Sequence, residues 1–212
     1  MGRKALPEEQ KYHHGSLKKA IMDSALQMAA ESGLESLSLR EIARRIGVTT
    51  AAPYYHFKDR QSLLIELAIL GYGELFDALR QAHHAASDHD DGVLAIAGAY
   101  LRFGREHRAL YAIMFAGEFA SHPRFEEMLS IADKSLELVR LSIAATGNLG
   151  KPKSTEAAFC AWSLVHGILM LDQNSVLREN TAEQERLALL GVSAIVRGMG
   201  VEGLSQRARG TR

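Results

Sequence analysis

The chain has 212 residues, 47% hydrophobic and 24% charged, with 25 basic and 25 acidic side chains and a formal net charge of zero. That is the make-up of an ordinary globular protein, long enough for one or two packed cores. A single cysteine, Cys160, excludes an internal disulfide and fits a reducing cytoplasm.

Residues 1–11 are polar and expected to be mobile, with no apolar core for a signal peptide. Leu17, Ala20, Ile21, Ala25, Met28 and Ala29 then predict a helix over 16–32, ended by Gly33. Residues 38–57 read as a short helix, a tight turn and a second short helix. Ser38 and Glu41 have capping-box spacing, flanked by Leu37 and Ile42 as a hydrophobic staple. Leu39, Ile42, Ala43 and Ile46 form one apolar face, Gly47 is placed to stop the helix, and Thr49 to cap the next one. Pro53 lacks the N–H that would reach the Thr49 carbonyl, so a tight or distorted first turn is expected. This is helix-turn-helix patterning, whose second helix enters the major groove of DNA. Charge agrees with it. Residues 1–60 carry ten lysines and arginines against seven acidic residues, and the remainder is correspondingly acidic.

A long fourth helix is expected from about 59 to 84, through Leu63, Leu64, Leu67, Leu70, Leu75 and Leu79. Residues 86–92 read as a loop and as the best internal boundary. Helices then follow near 93–104, 107–116, 125–143, 154–173 and 183–199, interrupted by residues 147–152 and by a polar turn. The uncharged run 157–171 is short for a membrane span and reads as a buried helix. Residues 203–212 look disordered. The expectation is an all-α chain of about nine helices, without strands or repeats.

Residues 12 to about 79 closely resemble the DNA-binding domain of the TetR family of bacterial transcriptional regulators. The matching features are His13-His14-Gly15, Gly33-Leu34, the run from Ser38 to Ala43, Gly47-Val48-Thr49, Tyr54-Tyr55-His56-Phe57 and the leucines that follow. The second half resembles regulatory domains named for a Trp-His-Gly motif, here Trp162 to Gly167, preceded by the run from His107 to Phe115. The resemblance implies a DNA-binding domain over 1–58 and an effector-binding and dimerisation domain over 59–203, with 204–212 as a tail. It also implies a homodimer formed through the last two helices and an unidentified small-molecule effector.

Base reading needs side chains that reach base edges, and orientation needs phosphate contacts. Thr49, Thr50, Ala51, Ala52 and Tyr55 offer hydroxyls and methyls. Arg40 is placed to read guanine or to hold a phosphate. Tyr54 and His56 resemble the family's phosphate-contacting pair; Phe57 is assigned to the core, where Tyr54 could equally pack, and Tyr55 to the exposed surface. Arg60 opens a helix where positive charge opposes the dipole, which suits a phosphate held with Lys58 and free backbone N–H groups; a solvated Arg paired with a carboxylate is the alternative.

Candidates for an effector pocket are Tyr100, Phe103, His107, Tyr111, Met114, Phe115, Trp162, His166, Met170 and Gln173. Each could equally be core, and His166 could mark the dimer seam. Cys160 is expected to be a buried thiol. His83, His84 and His89 lack a zinc framework and are expected on the surface, as is His13-His14. No metal or cofactor is expected, and no catalytic set is visible, so the chain is not expected to be an enzyme. These readings converge on a cytoplasmic, ligand-responsive DNA-binding regulator, more often a repressor in this family. A DNA-binding regulator without a small-molecule effector is the alternative, and a helical enzyme the remote one.

Overall fold

The computed structural model describes residues 14–117, 119–147 and 149–200. The polar segment 1–11, His13 and the tail 203–212 lie outside the described residues. Among the described residues there are eight α-helices, two short 3-10 turns and no strand. The chain divides into two compact units, one ending at Leu64 and the other beginning at Ile65.

In the first unit, α1 (His14–Ser32) buries Ile21, Ser24, Ala25, Met28 and Ala29 along one face. Gly33, at φ +78°, ends it and leads into a 3-10 turn, Leu34–Ser36. Helix α2 (Leu39–Arg45) buries Leu39, Ile42 and Ala43, with Leu37 buried just before it. Its C-terminus closes as a Schellman motif: Val48 N–H donates to the Ala43 carbonyl at 3.0 Å and Gly47 N–H to Arg44 at 3.3 Å. Gly47 sits at φ +73°, a conformation that a β-carbon would strain.

Two expectations for this unit need correction. Ser38 occupies the N-cap with extended backbone, but its hydroxyl makes no capping bond. Glu41 does not reach back; its carboxylate takes the Arg44 guanidinium instead, so the box stays open. The second helix of the motif is a 3-10 turn, Ala52–Tyr55, and its N-cap is Ala51 rather than Thr49. Pro53 supplies the reason. Without a proline N–H, the Thr49 carbonyl accepts from Ala52 at 3.0 Å, three residues on, and the turn tightens. The ninth helix read from the sequence is therefore this turn.

Helix α3 (Arg60–Ala85) begins in the first unit. Asp59 caps it, accepting from the Ser62 N–H at 2.7 Å and the Ser62 hydroxyl at 2.8 Å.

The second unit holds the rest of α3 with α4 (His89–Glu106), α5 (Arg108–Met114), α6 (Phe125–Ala145), α7 (Lys151–Gln173) and α8 (Thr181–Gly200). Helix α4 packs against α6, α7 and α8, and α7 against α6 and α8. Asp88 caps α4 by accepting from Asp91 N–H at 2.8 Å. Only 86–88 therefore remain as a loop, and the division between units falls at Leu64/Ile65 rather than at this loop. Pro152 lies in the first turn of α7, where its missing N–H is not needed. Helix α7 is long and apolar enough to cross a membrane by length and composition alone, yet it packs on three neighbouring helices as a core element does.

Candidate functional site

The segment after α2 carries the first candidate surface. Pro53 and Phe57 point inward, both buried. Around them Thr49, Thr50, Ala51, Tyr54, Tyr55 and Lys58 are exposed, and Ala52 and His56 half-buried. Tyr55 is 84% exposed, far more than a tyrosine kept for packing. Arg40, on α2, is exposed too. From Ile42 to Lys58 there is no Asp or Glu, while Arg44, Arg45 and Lys58 carry positive charge. Such a surface offers hydroxyls, methyls and cations, with no carboxylate of its own segment to repel phosphate. Arg60 is half-buried, and its guanidinium donates to the Leu34 carbonyl at 3.0 Å. It thus ties the start of α3 to the connection between α1 and α2, a role the sequence did not suggest.

The second candidate is a cavity of about 420 Å³ in the second unit. Helix α3 contributes Tyr72, Leu75 and Leu79, and α4 contributes Val93, Ile96, Ala97 and Tyr100. Helix α6 adds a strip from Leu129 to Val139, and α7 adds Phe159, Ala161, Trp162 and Val165. Phe115 and Val192 complete the lining, which contains no Lys, Arg or His. A space this large and apolar is what drug-sized ligands occupy.

One end of the cavity is backed by a polar cluster. The Trp162 indole N–H donates to the Tyr100 hydroxyl oxygen at 3.2 Å. The hydroxyls of Tyr100 and Tyr111 are 2.9 Å apart, and the Tyr111 hydroxyl lies 2.5 Å from His166 Nδ1. Burial pushes the Tyr100 phenol up to about 12 and raises Tyr72 and Tyr111 as well, so all three keep their protons. Burial lowers His166 below its usual value and favours the neutral imidazole. Because an indole only donates, these states allow one continuous order of bonds: Trp162 to Tyr100, Tyr100 to Tyr111, Tyr111 to Nδ1 of His166. The histidine proton then sits on Nε2. Tilted ring contacts hold the cluster: Phe115 lies 4.4 Å from the His166 ring and 4.8 Å from Tyr111, centroid to centroid.

Comparison with known proteins bears on both surfaces. Residues 21–67 match the family described as bacterial regulatory proteins, tetR family, and residues 93–195 match the Tetracyclin repressor-like C-terminal domain. The chain belongs to the TetR family. The uncharacterized HTH-type transcriptional regulator YobS of Bacillus subtilis is 27% identical over 74% of this chain and 79% of its own. The class C tetracycline repressor protein of Escherichia coli is 27% identical over 66% of this chain and 68% of its own. A solved protein of unknown function from Rhodococcus sp. RHA1 is 32% identical, covers 91% of this chain and 100% of its own, and superposes with a TM-score of 0.78. This TetR-family protein is accordingly a DNA-binding transcription regulator and not an enzyme.

Within this TetR fold, three of the ten residues read from the sequence as pocket lining do line the cavity: Tyr100, Phe115 and Trp162. Tyr111 and His166 stand behind it in the polar cluster, with His166 half-buried. The other five lie elsewhere. Phe103 is buried against His107, which is itself exposed. Met114 fills the space over Gly71, where a β-carbon would come within 2.6 Å of its sulfur. Gln173 donates to the Gly104 carbonyl at 2.9 Å. Met170 drops out because residues four apart drift by about 40° per step around a helix, and two steps carry it past the cavity. Cys160 is exposed, not buried, although Ala157 and Ala161 near it on α7 are buried. His83 is half-buried, its Nδ1 3.4 Å from the Ser142 hydroxyl, whereas His84 and His89 are exposed as expected.

What the sequence missed was the share of α6 and α3 in the cavity wall. Leu75 and Leu79 looked like ordinary core leucines. Ser135 and Asp133 carried no pattern at all. The available signal was a serine on the apolar side of an amphipathic helix.

Proposed function

We propose that this protein is a repressor that binds a palindromic operator as a homodimer and is released by a small-molecule effector. The exposed surface of 42–58, a segment without Asp or Glu of its own, with Arg40 beside it, is the observation that carries DNA contact. Thr49, Thr50, Ala51, Ala52 and Tyr55 face base edges. Tyr54, His56, Lys58 and Arg60 hold phosphates, and Arg40 reads guanine. Residues 1–58 serve as the DNA-binding domain and 59–203 as the effector-binding and dimerisation domain, acting in the cytoplasm.

Dimerisation through α7 and α8 is supported by the apolar groups these helices leave in solvent: Phe159, Leu171, Leu187 and Leu190, with Cys160 among them. The paired reading heads would span one DNA turn, about 34 Å. The cavity of about 420 Å³ favours effector control over a regulator without a ligand. A coupling of ~1–3 kcal/mol between effector and operator sites suffices to change occupancy about 5- to 150-fold.

Operator selection followed by titration across salt concentrations tests the DNA reading. Lys58→Ala should weaken binding to every sequence alike and lower the salt slope by about one. Lys58 is the cleaner probe than Arg60, whose removal also frees the Leu34 carbonyl. Arg40→Ala should relax preference at one or two base pairs; uniform weakening would make it a phosphate ligand. Absence of any sequence preference at low salt would overturn the proposal.

A further inference from the structure

We propose that the effector is an organic cation, a hydrophobic amine or quaternary ammonium whose positive group sits at Asp133. The proposal rests on the effector reading above and narrows it to a chemical class.

The cavity wall carries five aromatic residues, Tyr72, Tyr100, Phe115, Phe159 and Trp162. Aromatic faces attract cations through their quadrupoles. The one ionisable carboxylate in the lining is Asp133, exposed at the edge, and no lysine, arginine or histidine lines the space. An anionic ligand would bury its charge against rings without a cation to meet it.

The donors in the wall are already committed. Tyr72 gives its hydroxyl proton to the Met114 carbonyl at 3.1 Å. Trp162 gives its N–H to Tyr100, and Tyr100 passes its own proton to the Tyr111–His166 side. A carboxylate or phosphate therefore finds no free phenol or indole donor to replace its hydration. The exception is Ser135. It is among the lining residues and 9% exposed, and its buried hydroxyl has no partner among the described residues. A buried hydroxyl left unmatched beside a cavity points to a ligand group that completes it. Asp133 and Ser135 flank the apolar strip Leu129, Ala132, Leu136 and Val139 on its two edges, so a ligand's charged end and its second polar end are set apart across α6.

Trp162 is the only tryptophan of the chain and lines the cavity, so its fluorescence reports occupancy. The full-length protein is titrated at neutral pH with phenylbutylamine, phenylbutanol and phenylbutanoate, which share a skeleton and differ in charge. The amine should bind roughly fivefold more tightly than the alcohol, as expected for a partly screened ion pair, and the carboxylate more weakly than both. Asp133→Asn, at an exposed position, should erase the amine's lead and leave the alcohol unchanged. Phenylbutanoate binding as tightly as the amine, or an amine lead that survives Asp133→Asn, overturns the cation class while the effector cavity stands. If no probe perturbs Trp162, the cavity is not a ligand site and the effector reading falls with the proposal.

Discussion

In the unit that ends at Leu64, each change of chain direction is set by a residue at the bend. Gly33 turns α1 out, Gly47 closes α2, Pro53 tightens the turn after it, and Asp59 caps α3. In the unit that begins at Ile65, the functional space is set by residues far apart in the chain. Trp162 meets Tyr100, Tyr111 meets His166, and Tyr72 meets Met114. A DNA-reading head must present a fixed surface, and local bends supply it. A ligand cavity must be left unfilled, and that takes helices held apart by side chains from several directions.

The contrast appears most strongly in two glycines. Gly47 is needed for its backbone: φ is +73°, and a β-carbon there would meet nothing within 4 Å. Gly104 is needed for its size: a β-carbon there would lie 2.0 Å from Leu169 Cδ2, and Leu169 is fully buried with little room to swing aside. Gly104→Ala should therefore cost about 1–3 kcal/mol through overpacking. Gly47→Ala should cost about 1–2 kcal/mol through the left-handed backbone. Asparagine separates the causes. It should be milder than alanine at Gly47 and worse than alanine at Gly104, read as Tm. The same order at both positions would erase the distinction.

Acid should also divide the units. The His166 pKa is lowered by burial below its ordinary 6.5, so the folded protein prefers the neutral ring. The unfolded chain then binds the proton first. The stability this contributes is complete above pH about 6.5 and is lost as pH falls toward the lowered folded value. In the first unit, the Arg45 guanidinium holds Glu31 below its ordinary 4.5, so that contribution persists to more acid conditions. Acidification from about pH 7.5 to about 5.5 should lower the Tm of the natural protein more than that of His166→Gln. Equal losses would remove His166 from the acid response.

These differences explain what could be read from the sequence. The first helix, α2, Gly47 and the inward Phe57 followed from spacing within a dozen residues. Pro53 announced a distorted turn, although not that the whole recognition segment would be 3-10. The cavity was legible only through Tyr100, Phe115 and Trp162. Met170, spaced eight residues from Trp162, was carried past the cavity by helix rotation, and Gln173 was taken elsewhere by the Gly104 carbonyl. Cys160 read as a buried thiol because no basic partner stands near it in sequence, which says nothing of which face of α7 meets α6 and α8. Leu75 and Leu79 had no mark to distinguish a wall beside empty space from a wall beside another side chain.

The smallest effect probes the units with one chemical change made twice. Ser24 in α1 and Ser135 in α6 are both buried, at 4% and 9% exposure, and neither hydroxyl has a partner among the described residues. Removing an unmatched buried hydroxyl should stabilise the ligand-free protein, by up to about 1 kcal/mol at each site. Ser24→Ala should raise Tm and leave operator affinity unchanged. Ser135 is among the residues that line the cavity, so its unmatched hydroxyl lies beside a space that a ligand could fill. The natural protein should bind hydroxyphenylbutylamine about two- to tenfold more tightly than phenylbutylamine, the range of one added hydrogen bond. Ser135→Ala should abolish that preference while keeping the affinity for phenylbutylamine. A preference that survives the substitution would make Ser135 a packing residue like Ser24, and the two units would then differ in shape alone.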